Sequence, residues 1–423
     1  MTMLGVVRFL DHFCDLYGNR LSRSERRQSD AVLKSVLRTF SLQWMPSETR
    51  TRCDSTTILF TEAWLQARSL LQDALHLLSY RALYAILLFD GISMPLKVSK
   101  SIEAHEFLDA GLENLCHLHD MVEEYCSNIS SSSTYRALLE ASLQIVRWGG
   151  YIRDTGAALT ADRPCKLPDI PKHTKEIGDL NDGLDVLPII LDHGFDNEVP
   201  EICRKAFAEA FFVWREIIHL KASAKYLDEL PQETTEAVIS VRAAVEAFNQ
   251  QFRPFMVHCT DKIGSLSVGS KIHFVSFAIV WDLGVLVLAE SAKPLVTICE
   301  SSRSAMRAYQ QEAINSILHT VKAVLSLPKE EAFNLHNGMS ADLPITSYHI
   351  TPNLMAMTLR KAIQHVIESQ LSMNLNSDQT DGRIQATPSG NGWEQSIDIL
   401  MKGLVSLNAT VGGAEAAGNH CKS

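Results

Sequence analysis

No Cys-x-x-Cys pair occurs among the nine cysteines, which stand at positions 14, 53, 116, 126, 165, 203, 259, 299 and 421. Their odd number and scattered spacing argue against a disulfide framework and fit reduced thiols in an intracellular compartment. Positive charge is also short, since 39 Lys and Arg against 49 Asp and Glu leave a net charge of -10. That is the wrong sign for a surface that must hold phosphate backbones unaided, so direct nucleic-acid binding is not expected. Residues 1–10 lack a basic stretch followed by a long apolar run, so no secretory signal is expected there. Without secretion, the sequons Asn128-Ile-Ser130 and Asn408-Ala-Thr410 carry no meaning.

Motifs that place reactive groups are missing as well. There is no Gly-rich phosphate loop ending in Lys-Ser or Lys-Thr, no G-x-G-x-x-G, no G-x-S-x-G elbow and no His-Glu-x-x-His. Enzyme families with such short local signatures are therefore disfavoured. Uninterrupted apolar runs of membrane-spanning length are lacking too: the best, Ile272 to Glu290, contains His273 and Asp282. A carboxylate at mid-membrane is costly, so this stretch is expected to be a buried helix, with no membrane involved.

What is present is ordinary globular material, 46% hydrophobic and 21% charged, enough for a large core. Helical spacing dominates. Leu4, Val7, Leu10, Phe13 and Tyr17 share one face, stopped by Gly18 and Asn19. A second helix is expected after Ser29 or Asp30, with Leu33, Val36, Leu37, Phe40 and Trp44 in one stripe that ends at Pro46. Helices follow over 57–78 and, capped by Ser79, over 80–93, the latter apolar on nearly all sides as befits the centre of a domain. Further helices are expected at 101–126, 134–159, 199–225, 231–252, 271–290, 303–326 and 352–372, with few strand alternations anywhere. The fold class is thus all-α, a large array of packed antiparallel helices. Its expected organisation is a helical domain over 1–373 with a subdivision point at the Pro-rich crossing 161–171, a disordered linker over 374–392, an amphipathic helix over 393–411 that docks back or meets a partner, and a flexible tail over 412–423.

Several clusters invite a chemical reading. Arg20, Arg23, Arg26 and Arg27 form a basic knot that reads mainly as a solvated loop between two helices, and otherwise as a nucleic-acid or import contact. Asp179, Asp182 and Asp185 have a metal-like spacing, but Asn181-Asp182-Gly183 is a strong turn former, and as a calcium loop the glycine comes one position early with no Glu at the twelfth. Cys116, His119 and Asp120 share a helix side without an identifiable fourth ligand. His258-Cys259 suggests a nucleophile, yet neighbours in sequence rarely face one another, so it is assigned to structure. No residue is assigned a catalytic, cofactor-binding or metal-binding role, and no cofactor is expected.

Four segments resemble, in order, the regulatory region that follows the zinc cluster in fungal transcription factors, known as the middle homology region or fungal-specific transcription factor domain. They are VRFLDHFCDLYGNRLSRSERRQSDAVLKSVLRTFSLQW, FTEAWLQARSLLQDALHLLSYRALYAILLFDGISMP, RWGGYIRDTGAAL at 147–159, and AVEAFNQQFRPFMVHCTDKIGSLSVGSKIHFVSFAIVWDLGVLVLAE. The resemblance covers about residues 6–370, whereas the family's Cys-x2-Cys-x6-Cys cluster has no counterpart in this sequence. It implies a nuclear regulator of transcription, with a cytoplasmic pool, acting on a fungal secondary-metabolite gene cluster. Its partners would be a DNA-binding transcription factor or the transcription machinery, together with a small-molecule effector. Separately, the density of apolar and small residues in Ala63 to Phe89 and Phe274 to Ala289 suggests a cavity or groove beside helix 80–93, with Trp148 and Trp281 nearby, whose occupancy shifts the domain between two states; a fully packed core is the plainer reading. A helical enzyme of another class and a helical scaffold are the alternative readings.

Overall fold

A computed structural model describes residues 2–47, 53–99, 101–169, 194–224, 232–293, 300–329, 343–349, 351–377 and 392–421. Among them are thirteen α-helices and no strand, one isolated bridge between Pro46 and Thr410 apart. The chain is all-α. It divides into two compact units: Met1–Ala161 with Cys165–Pro168 and Thr410–Glu415, and Asp162–Pro164 with Asp169–Ala409 and Ala416–Ser423.

In the first unit, α1 (Met3–His12) gives way to a 3-10 turn, Cys14–Tyr17, that ends at Gly18 with φ +83. Only glycine takes that left-handed geometry at little cost, so the expected stop is where the sequence placed it. The helix α2 (Arg23–Leu42) is capped by Ser22 and so starts seven or eight residues earlier than a cap at Ser29 or Asp30 would place it. The physical reason is a capping box: the Ser22 hydroxyl accepts from the Glu25 amide at 3.2 Å while the Ser22 amide donates to Glu25 Oε2 at 2.7 Å. Arg23, Arg26 and Arg27 are therefore helical, and only Arg20 lies in the loop.

Helices α3 (Cys53–Ala74), α4 (Tyr80–Asp90), α5 (Leu108–Ser127) and α6 (Thr134–Thr160) complete this unit. Apolar nearly all round, α4 buries Tyr80, Leu83, Ile86, Leu87, Leu88 and Phe89 and packs on α2 and α5. Its N-terminus points into a region of low water access, so its free amides need acceptors. Asp11, 1% exposed, supplies them, accepting from the Tyr80 amide at 2.7 Å, the Arg81 amide at 3.1 Å and the Ser79 hydroxyl at 2.7 Å. The helix expected from 101 begins only at Leu108, because His105 sits at φ 63, where its ring bonds Asp90 at 2.7 Å.

The second unit is built on α7 (Phe195–Ala224), α8 (Gln232–Lys262), α9 (Val268–Ala292), α10 (Glu300–Leu325), α11 (Pro352–Ser377) and α12 (Gly392–Ser406). Long and apolar enough to cross a membrane, α9 has 83% of its most apolar window buried, and it packs against α7, α8, α10 and α11. Gly284 lets α7 approach closely, since a Cβ there would collide with the Trp214 indole. Expected to end at 252, α8 instead runs through Pro254 to Lys262. The expected C-terminal amphipathic helix is α12, whose Leu400, Gly403 and Leu404 face α10 and α11. Residues 412–423, expected as a flexible tail, contain most of α13 (Val411–Cys421). Its start is fixed in the first unit, where the Gly412 amide donates to the Gln43 carbonyl at 2.8 Å and Glu415 accepts from the Leu96 amide at 2.5 Å. Residues 378–391 of the expected linker lie outside the described residues.

Candidate functional site

The second unit carries an open groove of about 820 Å³ between α8 and α10. Eight residues of α8 line one wall, among them Glu246, Asn249, Arg253, Val257, His258 and Asp261, and Tyr309 and Glu312 of α10 line the other. Their positions at intervals of three and four put the α8 residues on one helix face. Pro254 in that wall has no amide, so the Gln250 carbonyl lacks its usual partner four residues on.

Beneath the groove lies the buried acid at the middle of the most apolar helix. Asp282 is 1% exposed, and Arg253 meets it with two bonds, Nη2 to Oδ1 at 2.8 Å and Nη1 to Oδ2 at 3.3 Å. The same guanidinium donates to the Ser316 hydroxyl at 2.8 Å and the Asn249 amide oxygen at 3.2 Å, and its Nε stands 3.4 Å from Glu312. Asn249 also accepts from the Trp281 indole at 3.1 Å. Burial pushes the Asp282 carboxyl above the ordinary carboxylate range, and Arg253 beside it pulls it back. Arg253 stays protonated: burial disfavours its charge, but Asp282 outweighs that and raises its pKa. The groove rim adds the carboxylates of Glu246, Asp261 and Glu312. Such a trough suits a ligand with an apolar body and polar ends.

A second buried network lies among α9, α10 and α11. His365, with a fully buried side chain, has Nε2 3.1 Å from Glu290 Oε1 and Nδ1 2.8 Å from Gln310 Nε2. If the Gln310 amide donates there, the ring proton sits on Nε2 and faces Glu290. Lys361 binds the other Glu290 oxygen at 2.5 Å. Burial alone would raise the Glu290 carboxyl, but His365 and Lys361 hold it down at about 2.

The clusters noted in the sequence fare differently. Cys116 is exposed and takes no part with His119; the structure instead brings His119, Asp120 and Glu123 together, with ligand atoms within 4.8 Å of one another. Residue Glu123, one turn after His119, was readable from the i, i+4 spacing. Both carboxylates are largely exposed, at 80% and 61%, and burial lowers the His119 pKa, so the trio is an ordinary surface arrangement. Cys259 is buried and its thiol pushed far up by burial, while the His258 ring packs edge-on against Phe195 at 4.8 Å. That pair is not a nucleophile and base. Arg26 is tied to the Leu21 carbonyl at 3.1 Å and to Asp15 at 3.3 Å. Asp179, Asp182 and Asp185 lie outside the described residues.

Trp281 belongs to the second unit, stacked on Phe248 at 3.6 Å, whereas helix 80–93 and Trp148, with which it was expected to pack, belong to the first. The expectation rested on apolar density in two stretches that form two separate cores. Comparison with protein families, curated proteins and solved structures finds no match to any of them.

Proposed function

We propose that this chain is the helical regulatory part of a fungal transcription regulator, governing a secondary-metabolite gene cluster through a DNA-binding partner. The observation that carries the reading is the ordered set of four family-like segments. Each falls on helix: the first on α1 and α2, the second on α3 and α4, the third within α6, the fourth on α8 and α9. The net charge of -10 favours a partner that supplies the contact with DNA. In this reading the groove over Arg253 receives the effector, and its volume of about 820 Å³ is of the size that holds small ligands. An effector bound there would act by binding one state of the domain better than the other.

Tethering tests the proposal. Fused to an unrelated DNA-binding domain, the chain should change transcription of a reporter carrying the matching site, upward or downward. A reporter that stays at its basal level in both an activation and a repression format would refute it.

A further inference from the structure

The basic residues near the start of the sequence continue as a stripe along α2. Arg23, Arg27, Lys34 and Arg38 of that helix are all exposed. At 3.6 residues per turn they fall within an arc of about 60°, on the side opposite the buried Val32, Leu33, Val36 and Thr39. The stripe is about 22 Å long at 1.5 Å per residue, and the exposed Arg20 extends it from the loop. None of these five cations has an acidic partner among the described residues. Both acids of α2 are engaged: Glu25 accepts from the Ser22 amide, and Asp30 meets Arg81 at 2.9 Å. Arg26 turns away to the Leu21 carbonyl and Asp15. On α3, packed alongside, the exposed acids among the described residues are Glu62 and Asp73, too few to cancel the stripe. Like charges four residues apart repel on a helix, so Arg23 with Arg27 and Lys34 with Arg38 cost the fold stability and return nothing to it.

We propose that this face holds the phosphate backbone of a duplex nucleic acid, in a contact that does not read sequence. Its composition selects the occupant. The other exposed residues of α2 are Ser24, Ala31 and Ser41, while Leu37, Phe40 and Leu42 pack against the core. A helix that lies on a lipid surface needs an apolar face to insert, and protein interfaces centre on aromatic or aliphatic anchors. This face has neither, and its long cations and hydroxyls are the donors that contact phosphate. The chain's net charge of -10 does not oppose the contact at close range, because charges more than about 10 Å apart are largely screened at 0.1 M salt. Such a contact positions a protein on a duplex and leaves base reading to another protein. It rests on α2 alone and is independent of the regulatory reading above.

Fluorescence anisotropy of labelled mixed-sequence duplexes, DNA and RNA in parallel, titrated with the full chain over about 50–200 mM salt, tests the contact and tells which backbone is held. Affinity should fall with salt at a log–log slope of about −3.6, from −0.9 for each of four phosphates. Arg27→Glu with Lys34→Glu should weaken binding by about tenfold and flatten the slope by about 2, with far-UV circular dichroism intact because both side chains are exposed. Arg27→Lys should keep the slope. Lys97→Glu with Lys262→Glu, at exposed sites off the stripe, changes the net charge equally and should bind as the parent does. No binding to either duplex at the lowest salt, a stripe variant that binds like the parent, or an equal loss in the Lys97 and Lys262 variant would overturn the proposal. So would equal or tighter binding to phosphatidylserine vesicles or to poly-glutamate, which would make the occupant a lipid surface or an acidic protein. Duplex binding by a chain that leaves the tethered reporter at its basal level would uphold the contact and sink only the regulatory reading.

Discussion

Removing the Arg253 guanidinium is the sharpest perturbation the structure offers. In Arg253→Met the groove keeps an apolar side chain of similar length, but Asp282, 1% exposed, is left without the two charge-assisted bonds at 2.8 and 3.3 Å. Stranding a buried charge in this way typically costs about 3–5 kcal/mol. Ser316 and Asn249 lose a donor at the same time, and Asn249 keeps only the Trp281 indole. Replacing both partners is another matter: Arg253→Met with Asp282→Leu removes the charge along with its mate, and such exchanges are often neutral or stabilising. Urea unfolding followed by tryptophan emission reads the second unit through Trp214 and Trp281 in its core, provided Trp44, Trp64 and Trp148 of the first unit are first replaced by Phe in parent and variants alike. The expectation is a loss of about 3–5 kcal/mol in the single variant and recovery of most of it in the double. Since burial raises the Asp282 carboxyl, the single variant should also lose less at acid pH, where the stranded group takes up a proton. A single variant within 1 kcal/mol of the parent, or a double variant as unstable as the single, would refute the reasoning that the ion pair neutralises an otherwise untenable acid.

Glu290 gives a prediction in pH. Its carboxyl is held at about 2 in the folded chain against 4.5 ordinarily, so its contribution is complete above 4.5 and drains away as pH falls toward 2; after allowance for partial exposure it amounts to roughly 1–2 kcal/mol. Denaturation of Glu290→Gln should therefore show its full deficit at pH 7 and a shrinking one as pH falls from 4.5 to 2 and below, and an unchanging deficit would contradict the assignment. Asp11→Ala strands the Tyr80 amide and the Ser79 hydroxyl at the start of α4, while the Arg81 amide keeps Ser79 Oγ at 3.2 Å, for a cost of about 3 kcal/mol; thermal melting checks it. Gly284→Ala should destabilise the second unit by about 1–3 kcal/mol through overpacking against Trp214, read as a lower melting temperature with α-helix content preserved.

The sequence made the helices legible where punctuation was local. Gly18, the Ser79 cap and the helix expected over 134–159 fall within a residue or two of where the pattern put them. The start of α2 was equally readable, for Ser22 and Glu25 spell a capping box, but the later Ser29 and Asp30 drew attention from it. Where tertiary contacts decide, the pattern failed. Pro254 does not end α8, and the Gly- and Ala-rich segment after residue 411 is helical because its first amides and Glu415 find partners on other elements. The candidate site was half visible. A lone Asp282 in an apolar run announces that some cation must meet it, yet nothing local singles out Arg253, 29 residues away, from the other basic residues. The division of the apolar residues into two cores was likewise hidden, because periodicity shows which face of a helix is buried and not which neighbour covers it.

Transcript sequencing of a strain lacking the gene, beside its complemented parent, bears most directly on the regulatory reading. A contiguous set of biosynthetic genes should change together and return on complementation, also when the complementing copy is fused to a nuclear localisation signal. An unaltered transcriptome, or a phenotype restored only by a copy held outside the nucleus, would contradict it.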